Sequence, residues 1–197
     1  NITAPVNLVG YSMGGAIATY FTSKHHERVA KLGLIAPAGF KIEPGLTAAI
    51  MRVPMLGDWL MAISGRSVVL EMMSLPENQG RAIPDLLARY EDQMQYEGYL
   101  RSLLSTLRHF PMGDMKAEYV RVGRRDIPVT AIWGDQDTVV RPDNAVRLRN
   151  AIPHAKVDLI AGGSHAITYS EPFKVSESLI RLFTSGESNT PAATQQR

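Results

Sequence analysis

The chain has 197 residues, 45% apolar and 20% charged, which suits one globular domain with room for an inserted subdomain. Its 21 Lys and Arg against 19 Asp and Glu leave a formal net charge of +2, too small an excess to call for nucleic acid or an anionic membrane as partner. There is no cysteine, which excludes disulfides, thiolate metal sites and a cysteine nucleophile. No run of about 18 apolar residues offers a transmembrane helix. Nothing in the sequence fixes the compartment or the oligomeric state.

Taken in chain order, residues 6–9 are apolar and β-branched after Pro5 and read as a short buried strand. Gly10 to Gly15 break it, and residues 16–23 continue as helix. Residues 29–35 give a second strand ending at Ala36-Pro37, and residues 128–133 a third. Residues 142–151 read as helix, with Ala145, Val146, Leu148 and Ile152 near one face. A fourth strand at 157–160 precedes Gly162-Gly163. Residues 172–183 form a last helix on Phe173, Val175, Leu179, Ile180 and Phe183. Strand alternating with helix is the rhythm of a mostly parallel sheet flanked by helices, an α/β class of about four strands. Residues 185–197 are polar, without periodicity, and are expected to be a disordered tail.

The middle, residues 40–115, differs in character. It is helical in pattern and punctuated by Pro54, Gly57, Pro76, Pro84, Gly98 and Pro111. It holds eight of the nine methionines, Met13 being the exception. We read it as a helical cap inserted between core segments 1–39 and 116–184. Its methionines either fill a loosely packed helical core, the reading we prefer, or line an adaptable apolar pocket. Arg121, Arg124 and Arg125 form the densest basic cluster and read as a solvated loop.

The chemistry concentrates at three places. Gly10-Tyr11-Ser12-Met13-Gly14 is a G-x-S-x-G pattern. Chance alone would place one in such a chain about one time in fifteen; its position between an apolar strand and a helix is the stronger signal, because a nucleophile elbow requires that setting. Glycines on both sides would let neighbouring backbone approach, and the helix N-terminus favours negative charge developing near Ser12. The backbone N–H of Met13 would then donate to an oxyanion, and Tyr11 is a candidate substrate contact. A serine hydroxyl needs a base, and the base an orienting carboxylate. The third strand runs into Asp135-Gln136-Asp137. We favour Asp137, further into the loop, as that carboxylate, and read Asp135 as fixing the turn. The fourth strand runs into Gly162-Gly163-Ser164-His165, on the same rim and in the order Ser, Asp, His. His25, His26, His109 and His154 lie in less suitable places. No residue pattern implies a metal or cofactor.

Together, the segments Val-Asn-Leu-Val-Gly-Tyr-Ser-Met-Gly-Gly-Ala, Ile-Trp-Gly-Asp-Gln-Asp and Gly-Gly-Ser-His-Ala resemble the α/β-hydrolase superfamily over residues 5 to about 184. Within it the chain is most similar to capped bacterial esterases and lipases. The resemblance implies Ser12 as nucleophile, Asp137 as acid and His165 as base, with a small apolar ester as substrate. Two other readings stay open: a carbon–carbon bond hydrolase using the same residues, with Arg52 or Arg66 holding an acidic substrate, and a non-catalytic module keeping the fold. The superfamily's elbow follows several strands, whereas here it begins at residue 10, and the sequence has no His-Gly dipeptide of the kind that supplies the second oxyanion donor. The chain therefore reads as the C-terminal portion of a longer enzyme, with its elbow strand left at a sheet edge and little activity on its own.

Overall fold

The computed structural model describes residues 2–40, 46–74, 84–111 and 113–185. The tail expected to be disordered lies outside them from residue 186 on, as do Pro76 and Met112. Strand β1 (Val6–Tyr11) leads into helix α1 (Met13–Lys24), and a 3-10 turn (His26–Arg28) into β2 (Val29–Ile35). Four helices follow: α2 (Leu46–Met51), α3 (Leu56–Met73), α4 (Leu86–Gln93) and α5 (Tyr99–His109). The chain returns through α6 (Lys116–Gly123) to β3 (Val129–Gly134), then α7 (Asn144–Ala151) and β4 (Lys156–Ile160). It closes with α8 (Ile167–Ser170) and α9 (Pro172–Thr184).

The four strands form one parallel sheet in the order β1-β2-β3-β4. Parallel neighbours need crossovers, and helices supply them. Strand alternation then sorts the core into two layers. Leu32 and Leu34 of β2 and Val129, Ala131 and Trp133 of β3 join the layer that includes residues of α1, α6 and α7. Ile35 and Ile132 turn to the other layer, with Ile160, Ile167 and Val175. Helix α9 comes close there because β2 carries Gly33, where a Cβ would lie 2.7 Å from Leu179 Cδ2. The packing of α9 falls on β2 and β3, so Val9 of β1 stays 40% exposed. β1 is an edge of the described sheet, as its place in the sequence predicts.

Helix faces differ from the expected ones in two places. Ala145, Leu148 and Ile152 are buried, but Val146 is exposed, because one residue is 100° around a helix and 145, 148 and 152 already define the inner face. In α9, Val175, Ser178 and Leu182 define the buried face, which leaves Phe173 and Ile180 outside. Arg121 is likewise not on a loop: it lies in the last turn of α6 and pairs with Glu118 at 2.7 Å.

Between β2 and β3 the expected breakers sit at helix boundaries. Pro54 and Gly57 turn α2 into α3, Pro84 precedes α4, Gly98 adopts φ 86 just before α5, and Pro111 follows it. A Cβ at Gly57 would stand 2.1 Å from Met51 O. Arg108 of α5 locks that turn. Its guanidinium donates to both carboxylate oxygens of Asp58 (2.9 and 3.0 Å) and to the carbonyls of Met51 and Val53. The same hydrogen bond and charge hold the exposed Asp58 carboxyl below the usual carboxylate range. The methionines divide between the two expected uses. Met51 and Met115 are buried, whereas Met61 and Met94 help line a cavity of about 500 Å³ within these helices. Met55 serves neither, being 84% exposed.

Arg108→Met removes every one of those contacts while keeping the aliphatic stem. Amide hydrogen exchange should accelerate in α2 and the first turn of α3 and stay unchanged in β2 and β3; equal acceleration in the sheet would mean that Arg108 does not act locally.

Candidate active site

The site forms where strands β1, β3 and β4 end on one rim. At the end of β1 the chain turns so sharply that Ser12 takes φ 52, ψ −119, a left-handed conformation strained for a non-glycine residue. Neighbouring backbone holds it there. Ser12 N–H donates to Ile35 O at 2.8 Å, and Ser12 O accepts from Gly15 N at 3.0 Å and Ala38 N at 2.9 Å. The turn is tight enough that a Cβ at Gly10 would sit 2.2 Å from Gly14 O, and one at Gly15 2.6 Å from Pro37 Cβ. Gly14 differs from expectation: a Cβ there would meet nothing within 4 Å. The sterically required glycines are thus Gly10 and Gly15, the second lying outside the five-residue motif. The reason is that Gly15, not Gly14, faces the Ala36-Pro37 segment after β2.

Ser12, Asp137 and His165 meet here. Ser12 Oγ lies 3.0 Å from His165 Nε2, and His165 Nδ1 lies 2.8 Å from Asp137 Oδ2. A carboxylate only accepts, so Nδ1 carries the proton and Nε2 is left to accept from the serine hydroxyl. Asp137 is 3% exposed. Its other oxygen, Oδ1, accepts from the backbone N–H groups of Val139 (2.9 Å) and Val140 (2.8 Å), which offsets the cost of burying the charge. Trp133, fully buried in β3, donates its indole N–H to Val140 O at 3.1 Å. The acid loop is therefore pinned to the core by a side chain four residues upstream of Asp137.

Asp135 is not part of this chain of hydrogen bonds. Its carboxylate accepts from Gly162 N–H at 2.8 Å, joining the loop after β3 to the loop after β4. Gln136 N–H donates to Gly163 O at 2.9 Å, and a Cβ at Gly134 would stand 2.1 Å from that same oxygen. Met13 is the first residue of α1, where a helical N–H has no partner in the preceding turn, and it follows Ser12 directly.

Tyrosines crowd the same place. The hydroxyl of Tyr11, a candidate substrate contact in the sequence, donates its proton to His165 O at 2.7 Å. Burial chiefly, with Tyr169 nearby, pushes the Tyr11 phenol far above its ordinary value. Tyr90 of α4 is pushed up to about 12 by burial and by its neighbour Tyr169. Arg52 donates to Leu107 O and Arg66 lies 3.7 Å from Glu91, so neither expected arginine is brought to Ser12. His25 and His26 are exposed beside Glu27, His109 bonds within α5, and His154 meets Ile127 O. The 500 Å³ cavity does not touch Ser12, Asp137 or His165. Among the described residues, no group of three or more His, Asp or Glu is placed to hold a metal, and no helix is long and apolar enough to cross a membrane.

Residues 1–172 match the serine aminopeptidase, S33, family. The chain belongs to that family. Among its relatives is the monoacylglycerol lipase ABHD6 of Bos taurus, 23% identical over 194 residues, covering 92% of this chain and 55% of the relative. The chain thus spans about half the length of the curated relatives it matches. Its fold is that of the α/β hydrolases. An esterase from Thermogutta terrifontis superposes with TM-score 0.69 at 18% identity, over 92% of this chain and 65% of that one. A meta-cleavage product hydrolase from Pseudomonas fluorescens IP01 superposes with TM-score 0.63 at 15% identity, over 92% and 65%.

The elbow's steric demands predict a contrast within one glycine pair. Gly14→Ala should leave the melting temperature nearly unchanged, while Gly15→Ala should lower it by roughly 2–8 °C, as overpacking costs of about 1–3 kcal/mol imply; equal effects would refute the assignment of Gly15. The raised phenols carry a pH signature. Tyr11, Tyr90 and Tyr119 are all held neutral by burial, above the ordinary value of 10. The unfolded chain ionises them first, so the stability they contribute is whole below pH 10 and falls as pH rises from 10 through about 12. Urea unfolding with tyrosinate absorbance should show that decline; three phenols ionising at pH 10 in the folded state would contradict it.

Proposed function

We propose that the protein is a serine hydrolase that cleaves carboxylic esters through an acyl-enzyme. The observation that carries this reading is the unbroken hydrogen-bond chain from Ser12 Oγ through the His165 imidazole to the buried Asp137 carboxylate. His165 Nε2 takes the serine proton as Oγ attacks the acyl carbon. Nε2 then returns that proton to the leaving alcohol as the carbonyl re-forms. Water, deprotonated by the same nitrogen, attacks the acyl-enzyme; the acid leaves and Oγ recovers its proton. Asp137 holds the Nδ1–H tautomer and stabilises the imidazolium in between. Met13 N–H, at the N-terminus of α1, would donate to the developing oxyanion.

The relatives' names support an ester. One is a monoacylglycerol lipase and another a (lyso)-N-acylphosphatidylethanolamine lipase. The surroundings support a neutral, apolar substrate: phenols crowd His165, and both arginines that could have held an acidic carbon–carbon substrate are engaged elsewhere. Helices α2–α5 act in this reading as a cap, with Tyr90 of α4 reaching Tyr169 beside the base loop.

In the full-length protein, Ser12→Ala and His165→Ala should each abolish hydrolysis of p-nitrophenyl butyrate. Asp137→Asn should lower kcat by about 10⁴ through the wrong imidazole tautomer. A fluorophosphonate probe should label the wild type and not Ser12→Ala. Labelling that survives Ser12→Ala would end the proposal by moving the nucleophile elsewhere, and a wild type that neither labels nor turns over would end it in favour of the non-catalytic reading.

A further inference from the structure

We propose that Tyr11 is the positioning residue for the base: it fixes the His165 loop against the elbow, so that residues 11 and 12 grip one histidine at two points. This rests on the reading of His165 as base. The loop that carries His165 runs between β4 and α8 and turns through Gly162 at φ 71. Asp135 and Gln136 hold the start of that loop at Gly162 and Gly163, and Asp137 holds Nδ1, but none of these bonds reaches the backbone of His165 itself. The Tyr11 hydroxyl supplies that restraint, donating to His165 O at 2.7 Å. Its ring also covers the imidazole, with centroids 5.2 Å apart and planes tilted 32°. Tyr11 and Ser12 are adjacent in one strained turn. The contacts Tyr11–His165 O and Ser12 Oγ–His165 Nε2 therefore close a small ring whose size the backbone sets.

The phenol is itself supported. Tyr169 meets it edge-on, centroids 6.1 Å apart at 90°. The Thr168 hydroxyl lies beside it, buried and without a partner of good hydrogen-bond geometry among the described residues. The phenol's single proton goes to His165 O, so its oxygen remains open to a hydrogen bond from Thr168. Burial keeps the phenol neutral, and it stays a donor across the pH range in which a histidine base operates. A donor so engaged has nothing left to offer a substrate.

Tyr11→Phe differs by one oxygen atom. Assayed with p-nitrophenyl butyrate in the full-length protein, it should lower kcat about three- to tenfold, the worth of one hydrogen bond, with KM within about twofold. The acid limb of the kcat profile should move to lower pH, because an imidazole less well held against Asp137 loses its proton more readily. The melting temperature, recorded alongside, separates these changes from unfolding, which moves the amount of active enzyme and not the limb. Unchanged kcat and limb, or a change confined to KM as a substrate contact would give, overturns the assignment. Ser12→Ala in parallel keeps the two readings apart. Activity near the wild-type level there overturns the serine mechanism itself, whereas a Ser12→Ala that has lost nearly all of it beside an unaltered Tyr11→Phe overturns only the role of Tyr11.

Discussion

The register of the parallel sheet is the constraint on which the site depends. Tyr11 pairs with Ile35, Ile35 with Ile132, and Gly134 with Ile160, so β1 and β2 end level with Ile132 while β3 and β4 run two residues further on the same rim. Parallel pairing makes that convergence automatic, since every strand points its carboxyl end the same way. Residues 12, 137 and 165 are far apart in the chain, yet each needs only a short loop to reach the others. A slip of one residue in any pairing would turn the inward side chains to the opposite layer and move one of the three by about 3.3 Å, beyond hydrogen-bond reach.

Much of this was legible in the sequence because it depends on local pattern. The apolar runs before Gly10, Ala36, Gly134 and Ala161 marked the four strands, and the breaks after them at Gly10, Pro37, Gly134 and Gly162 marked the rim. Ser12, Asp137 and His165 were chosen from the G-x-S-x-G pattern, their places after strands, their order in the chain and the superfamily resemblance. Asp137 and Asp135 were separable by their depth in the loop, and the two carboxylates do bond to different partners. What resisted reading depends on contacts between distant segments. That Gly15 rather than Gly14 is the constrained glycine follows from Pro37 lying against it, and no spacing rule encodes that. Nothing local signals that the Tyr11 phenol turns back to a carbonyl 154 residues away. Val146, Phe173 and Ile180 are apolar and lie near helical spacing, but the sheet takes only part of each helix's circumference. Arg52 and Arg66 looked free in one dimension and are engaged in three.

The fold leaves the chemistry of the substrate open in a physically understandable way. Under the proposed function the rim would carry the nucleophile and base, and selectivity would come from the helices between β2 and β3, read there as a cap. Those helices are held to one another by features such as the Arg108–Asp58 pair and line an open cavity of their own. An esterase and a meta-cleavage product hydrolase share the fold about equally well, as expected if chemistry is tuned by the cover and not by the sheet.

The contact between Gly134 and Gly163 also governs how such a protein can change. With Gly163 O only 2.1 Å from where a Gly134 Cβ would stand, and with Asp135 and Gln136 both bonded to the Gly162-Gly163 pair, the loops after β3 and β4 form one inseparable module. An engineer or a lineage that swaps the first for a homologous sequence inherits a mismatch unless the second travels with it. The elbow at Ser12 is tied separately, to the segment after β2 through Ile35 and Ala38.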